Sequence, residues 1–257
     1  ITSVANTSAA TFRTNNAPIV FWADFDGNSS GVNRTYNGST FNTANGDTTT
    51  TSTGGGDIVF AGGSTTDSSG YPAGYSFSDG TYTGFESGYG STNQTAYYTG
   101  GGNFIIRGKS GNGLEAVAFN GPHRVWSNGG QIDVTGINSS SGIALQIQRY
   151  GSTSTTEFFS SSNTQPAIKF TAQSGTSYGF LSGYNQSTDN VVNIQATGAG
   201  GISILGDGGA QDLFDVGLDG TNLLSAGPIN ITGTSTGWGG GLFTGSVANN
   251  TSAAKSV

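Results

Sequence analysis

The chain has 257 residues, 134 of them Gly, Ser, Thr or Asn, and a formal net charge of −7 from eight Lys and Arg against fifteen Asp and Glu. Those four dominant residue types are middling or poor helix formers, which excludes a helical protein. Eight cations on an acidic chain make nucleic acid an unexpected partner, the absence of Cys excludes disulfides and thiolate metal sites, and no apolar run is long enough for membrane insertion by a helix.

Disorder does not fit either. Disordered chains are charged and poor in rings, whereas this one is 9% charged and carries 15 Phe, 10 Tyr and 3 Trp. The expectation is a folded, all-β chain rich in turns. A thin core of this kind gains its burial from stacked repeats or from oligomerisation. Ile1 reads as a processed end or the edge of a fragment.

In chain order, Ala10-Thr11-Phe12-Arg13 and Ile19-Val20-Phe21-Trp22-Ala23-Asp24-Phe25 read as strands, followed by the turn Asp26-Gly27-Asn28. Pro18 suits a strand's first position. Residues 42–56, with Thr48-Thr49-Thr50-Thr51 and Gly54-Gly55-Gly56, read as a polar loop. Residues 57–130 differ: Tyr71, Tyr75, Phe77, Tyr82, Phe85, Tyr89, Tyr97 and Tyr98 crowd together, interleaved with Gly. Phe104-Ile105-Ile106 and Ala116-Val117-Ala118-Phe119 are the next strands.

From Ile143 to Ile231 the pattern repeats. Strand-like pieces start at Leu145, Ile168, Val192 and Leu213, at nearly even intervals. Second pieces follow at Glu157, Tyr178, Ile202 and Asn222. Alternation such as Ile143-Ala144-Leu145-Gln146-Ile147 has the period of a strand with one buried face. Each unit of about 22 residues therefore reads as two short strands with turns. The organisation expected is an N-terminal β segment (1–56), an aromatic-rich β lobe (57–130) and a repetitive β shaft (131–257). Elongated, repeat-built architectures with such units are a trimeric interwoven β-fibre or a parallel β-helix, and the sequence leaves both open.

The stretch Gly201-Ile202-Ser203-Ile204-Leu205-Gly206-Asp207-Gly208, followed by Leu213-Phe214-Asp215-Val216-Gly217-Leu218-Asp219-Gly220-Thr221-Asn222, resembles tail-fibre shafts of tailed bacteriophages. Residues 8–28 and 142–187 are similar in style. The resemblance implies a homotrimeric fibre segment on a virion surface, held by other virion proteins and used to attach to a host surface. The aromatic-rich middle has no counterpart in it.

Chemistry-bearing residues are few. The single His123, in Gly121-Pro122-His123-Arg124, reads as a surface or turn histidine, and no nucleophile elbow accompanies it. Asp24 with Asp26, or Asp212 with Asp215, are carboxylate pairs that a glycosidase would need, but Asp-Gly is also an ordinary turn pair. Asp207, Asp212, Asp215 and Asp219 are weak calcium candidates, since calcium takes several oxygen ligands. Ten Asn-x-Ser/Thr sequons occur, little above chance for this composition.

The aromatic cluster is the main binding candidate. Tyr faces stack on sugars and serve recognition at low entropy cost, although rings also fill space in a Gly-rich core. Tyr71, Tyr75, Tyr82, Tyr89, Tyr97 and Tyr98 are the receptor or glycan candidates. The leading expectation is a structural and adhesive virion fibre component, without cofactor or catalysis, that self-associates and attaches to a host glycan or protein. A self-assembling extracellular filament or surface-layer subunit is the alternative, and a polysaccharide-active β-helix enzyme the third.

Overall fold

The computed structural model describes residues 4–5, 8–89, 93–148, 155–183, 191–209, 215–234 and 242–244. The chain runs in circuits, and each circuit lays one strand in each of three sheets. The first circuit holds β1 (Val4–Ala5), β2 (Thr11–Arg13) and β3 (Ile19–Ala23). The second holds β4 (Asn33–Tyr36), β5 (Thr40–Asn42) and β6 (Ile58–Thr66), then an excursion with β7 (Pro72–Gly74) and β8 (Ser76–Phe77). The third holds β9 (Phe85–Tyr89), β10 (Thr95–Tyr98) and β11 (Phe104–Ser110); the fourth β12 (Val117–Asn120), β13 (His123–Asn128) and β14 (Ile132–Asn138). The fifth holds β15 (Leu145–Gln148), β16 (Thr155–Ser160) and β17 (Ile168–Ser174); the sixth β18 (Phe180–Ser182), β19 (Val191–Ala196) and β20 (Ile202–Asp207). The seventh holds β21 (Val216–Leu218), β22 (Thr221–Ser225) and β23 (Ile229–Thr234), and β24 (Leu242–Thr244) opens an eighth.

The first sheet is ordered β1-β4-β9-β12-β15-β18-β21-β24, the second β2-β5-β10-β13-β16-β19-β22, and the third β3-β6-β11-β14-β17-β20-β23. Every ladder along these paths is parallel; the hairpin of β6 with β7 is antiparallel. All three sheets are built from successive circuits of one chain. Of the two architectures the sequence leaves open, this is the parallel β-helix.

Register follows from which side chains need burial. Phe104, Ile132, Ile168, Ile202 and Ile229 stand in one column of the third sheet, and Ile106, Val134, Phe170, Ile204 and Ile231 in the next inward one. Each buried side chain of this size contributes about 1.5–3 kcal/mol. From Phe104 to Ile132, Ile168 and Ile202 the chain advances by unequal steps, each longer than the unit seen in the sequence. That shorter unit therefore marks two strands out of the three in a turn. Leu145, Ile168 and Val192 begin strands, or lie next to their start, in the first, third and second sheets respectively.

Corners are made by small residues and hydroxyls. Where the third sheet hands the chain to the first, a Cβ on Gly108, Gly136 or Gly206 would lie 2.3, 2.1 or 2.0 Å from the carbonyl oxygen of Ala116, Ala144 or Asp215. Glycine leaves room for that approach in these three circuits, and Ala172 stands at the same register position in the fifth. Where the second sheet hands over to the third, Ser127 and Ser160 are buried and both donate to the Gly130 carbonyl, at 2.8 and 2.6 Å. Ser225 repeats this at the corner after β22, donating to Gly227 at 3.0 Å. Buried hydroxyls are thus satisfied by the turns they close.

Rings fill the core. Phe41 stacks between Phe12 and Tyr97 at centroid distances of 4.9 and 5.0 Å, and Phe21 stacks on Phe60 at 4.8 Å. Edge contacts cross the core between the three sheets, from Phe119 through Phe158 to Phe170. Residues 57–130 supply strands to all three sheets, and Phe60, Phe85, Tyr97, Phe104 and Phe119 from that region are fully buried.

Candidate functional site

The outer face of the second sheet carries a continuous set of ring and amide side chains. Inward positions along it are Tyr97, Val125, Phe158, Ile194 and Leu223, all fully buried. Their neighbours in sequence consequently point outward. One outward column reads Ala96, Arg124, Glu157, Asn193, Asn222; the other reads Tyr98, Trp126, Phe159, Gln195, Leu224.

These side chains support one another. Arg124 Nε donates to Glu157 Oε2 at 3.2 Å, and its guanidinium lies 4.5 Å from the Trp126 ring centroid. Burial alone would lower the pKa of Arg124, but the Tyr98 hydroxyl and the Glu157 carboxylate raise it, so the group keeps its charge. Asn222 donates to Asn193 Oδ1 at 2.9 Å. Tyr98 meets Trp126 edge-on at 5.6 Å, and Trp126 meets Phe159 edge-on at 6.5 Å. A groove of about 380 Å³ runs along this face past Trp126, Glu157, Phe159, Asn193, Gln195 and Leu224, with Thr50 at its wall.

Thr50 belongs to a strap, residues 43–57, inserted between β5 and β6. Asn42 Oδ1 accepts from the backbone of Ala44 and Gly46 at the strap's start. Asn128 fastens its middle, donating to the carbonyls of Thr49 and Ser52, each at 3.0 Å. Gly100 and Gly101, both with positive φ, let the strap's backbone close on the corner after β10: a Cβ there would lie 2.7 Å from Gly54 O and 2.8 Å from Thr53 O respectively.

The six tyrosines expected at a binding surface are spread around the molecule. Tyr97 is wholly buried, its hydroxyl 2.6 Å from Ser87 Oγ and 2.9 Å from Thr35 Oγ1, and burial raises its pKa. Tyr98 precedes Trp126 in the same outward column and meets it edge-on, but is only 8% exposed. Tyr71 and Tyr75 sit on the excursion beside the third sheet. Burial, then a hydrogen bond to Asp57, pushes Tyr71 up to about 12. Tyr82 is exposed, with the Arg34 guanidinium 4.4 Å over its ring on the first-sheet side. Tyr89 ends β9, and its side chain lies outside the described residues. None of the five described tyrosine side chains lines the groove. Trp126, Phe159, Asn193 and Gln195, which sequence reading missed, line it.

The carboxylates serve turns. Asp24 Oδ1 accepts from the Ser30 backbone at 3.4 Å, and Asp26 Oδ2 from Asn28 at 3.0 Å. Asp215 is buried and accepts from the Gly208 backbone at 2.9 Å; burial, and then the charge of Asp207, raises its pKa. Asp207 accepts from the Gly209 backbone, Asp219 precedes β22, and Asp212 lies outside the described residues. Among the described residues no three His, Cys, Asp or Glu converge as metal ligands would.

His123 is not the surface or turn histidine the sequence suggests. It is wholly buried: Nδ1 donates to Gly121 O at 2.8 Å, and Nε2 accepts from Ser87 Oγ at 2.9 Å. Burial pulls its pKa down to about 4. It starts β13, where the strand alternation turns its ring inward against Phe119, 5.2 Å away. Comparisons with protein-family models, with curated proteins and with solved structures find no match to this chain.

Proposed function

We propose that the chain is a structural and adhesive fibre component, of the tail-fibre kind, that attaches to a glycan on a host surface through the outer face of its second sheet. The observation that carries this reading is the groove in which Trp126 and Phe159 lie beside the amides of Asn193 and Gln195. Ring faces take the apolar side of a sugar, and amides take its hydroxyls. A β-helix supports such a function by holding these side chains on a rigid ladder.

The groove favours binding over cleavage. Glycoside hydrolysis uses two carboxylates, and among the described lining residues the groove has one, Glu157, engaged by Arg124. The test is a glycan array probed with the purified chain and with Trp126→Ala. Trp126 is half-buried, so its removal is expected to weaken glycan binding by roughly tenfold or more while circular dichroism stays unchanged. An array with no glycan bound by the parent chain removes the reading.

A self-assembling extracellular filament is the second reading. It is favoured by the outermost described residues of the core columns, Phe12 and Phe21 on one side and Ile229 and Ile231 on the other, which are only partly buried. Light scattering separates the two: a trimer of about 78 kDa, three times 25.9 kDa, supports a discrete fibre segment, and open-ended polymers support the filament.

A further inference from the structure

The groove has direction. The ring column that lines it follows on from Tyr98 in the third circuit, but Tyr98 is 8% exposed and Ala96, the other outward residue of that strand, 7%. From the fourth circuit on, Trp126, Phe159, Gln195 and Leu224 are half-buried and line open space. Thr50 of the strap lines the groove, and its neighbour Thr49 is bonded to Asn128 at the end of the strand that carries Trp126. The strap is held there by Asn128, which is itself buried and keeps φ at 53°. The groove is therefore bounded by the strap on its Trp126 side, and its described lining extends along the helix axis to Leu224.

The spacing and the charge narrow the ligand. Trp126 to Leu224 spans three strand separations, about 14 Å at ~4.8 Å each. One strand separation is close to the length of a single pyranose in an extended chain. Among the described residues the charged groups at the groove, Arg124 and Glu157, are spent on each other, so no unpaired charge awaits an acidic sugar or a sulfate.

Resting on the glycan reading above, we infer that this groove takes the end of an uncharged, linear glycan laid along the helix axis, with its terminal sugar against Trp126 and the strap and about one sugar per circuit. Asn128 acts as a positioning residue: it touches no sugar but fixes the wall that stops the chain.

The experiment is solution titration with neutral linear oligosaccharides of graded length, with the same chains blocked by a bulky group at both ends, and with sialylated or sulfated counterparts. Affinity is expected to rise with length to about four units, the number of open rungs, and to fall roughly tenfold for end-blocked and for acidic chains. Asn128→Gly keeps the positive φ and removes both strap bonds, and Thr50→Ala trims the wall from an exposed position. Both variants are expected to bring end-blocked chains to within roughly threefold of free ones while leaving the free-chain length dependence intact. Equal binding of free and blocked chains by the parent overturns the end reading and leaves glycan attachment standing. Preference for acidic chains overturns the uncharged class. No binding to any oligosaccharide removes both the inference and the function it rests on.

Discussion

The first three circuits and the last four use the same ladder differently. In the early circuits the core is a double stack of rings, Phe12, Phe41 and Tyr97 beside Phe21 and Phe60. In the later ones the same columns hold Val125, Ile194 and Leu223, and Val134 and Ile204, with Phe158 and Phe170 between them. The early circuits are also long: the chain travels further from Ile19 to Ile58, and further again from Ile58 to Phe104, than from Phe104 to the next rung at Ile132. The extra residues form the strap and the excursion. The longer early circuits stack ring on ring, and the later ones mix single rings such as Phe119, Phe158, Phe170 and Phe180 with aliphatic side chains.

The largest effect expected from this contrast is at Phe60, which stacks on Phe21 and meets Phe41, Tyr97 and Phe85 within 5.9 Å. Phe60→Ala leaves a cavity bounded by rings that cannot close on it and should cost about 3–5 kcal/mol. Ile204→Val, at the same column in the sixth circuit, should cost about 0.5–1.5 kcal/mol. Urea melts of both variants test this, and equal midpoints would mean that the two halves share one packing logic after all.

A second difference lies in the buried polar side chains: a seam of four joins the early circuits to the fourth, whereas the later circuits carry the smaller Ser182–Thr221 hydroxyl pair, 2.7 Å apart. Thr35 and Ser87 occupy the inward column where Phe119 and Ile147 follow, and His123 completes the seam. With the folded pKa of His123 depressed to about 4 from an ordinary 6.5, the unfolded chain takes up a proton that the folded chain refuses. The stability this group provides is complete above pH 6.5 and is lost as pH falls toward 4, by about 3 kcal/mol over that window. Melting temperatures at pH 7.5 and 4.5 should fall together with pH in the parent. They should fall much less in His123→Gln, whose amide can keep the bond to Ser87 without titrating. A flat profile in the parent would place the ring in contact with solvent.

A third test concerns the corner shared by both halves. Gly136→Ala puts a methyl 2.1 Å from the Ala144 carbonyl, and moving backbone to relieve it should cost about 1–3 kcal/mol. Ala172 fills the same register position in the fifth circuit, so Ala172→Gly should cost no more than about 1 kcal/mol of chain entropy. A harmless Gly136→Ala would show that the corner is looser than its neighbours.

That corner also explains what could be read from sequence. Period-2 alternation, turn chemistry and the shortage of charge are local, and they point to stacked strands without any structure. The true turn was written in Phe104-Ile105-Ile106-Arg107-Gly108, Ile132-Asp133-Val134-Thr135-Gly136, Ile202-Ser203-Ile204-Leu205-Gly206 and Ile229-Asn230-Ile231-Thr232-Gly233. It is hidden by uneven rungs, the steps from Ile132 to Ile168 and from Ile168 to Ile202 being longer than those from Phe104 to Ile132 and from Ile202 to Ile229, because corners tolerate insertions while strands do not. The groove was less legible still. Trp126, Phe159 and Gln195 are far apart in sequence and become neighbours only through the ladder. The tyrosine cluster is close in sequence and is dispersed by it, since alternation sends Tyr97 inward and Tyr98 outward.

The smallest expected effect lies within the seam. The hydroxyls of Thr35, Ser87 and Tyr97 form a closed triangle, with edges of 3.0, 2.6 and 2.9 Å. Removing the Tyr97 hydroxyl leaves Thr35 able to donate to Ser87, and Ser87 to His123, so no buried donor is stranded. Tyr97→Phe should therefore cost about 1 kcal/mol, far below Phe60→Ala although both rings are fully buried. The ring itself stays stacked on Phe41 and against Phe104. A loss of about 3 kcal/mol or more by urea melt would mean that the triangle acts as one cooperative unit with His123. In that event Tyr97→Phe should also change the acid profile of the melt, because the proton that His123 refuses would then be refused on behalf of the whole seam.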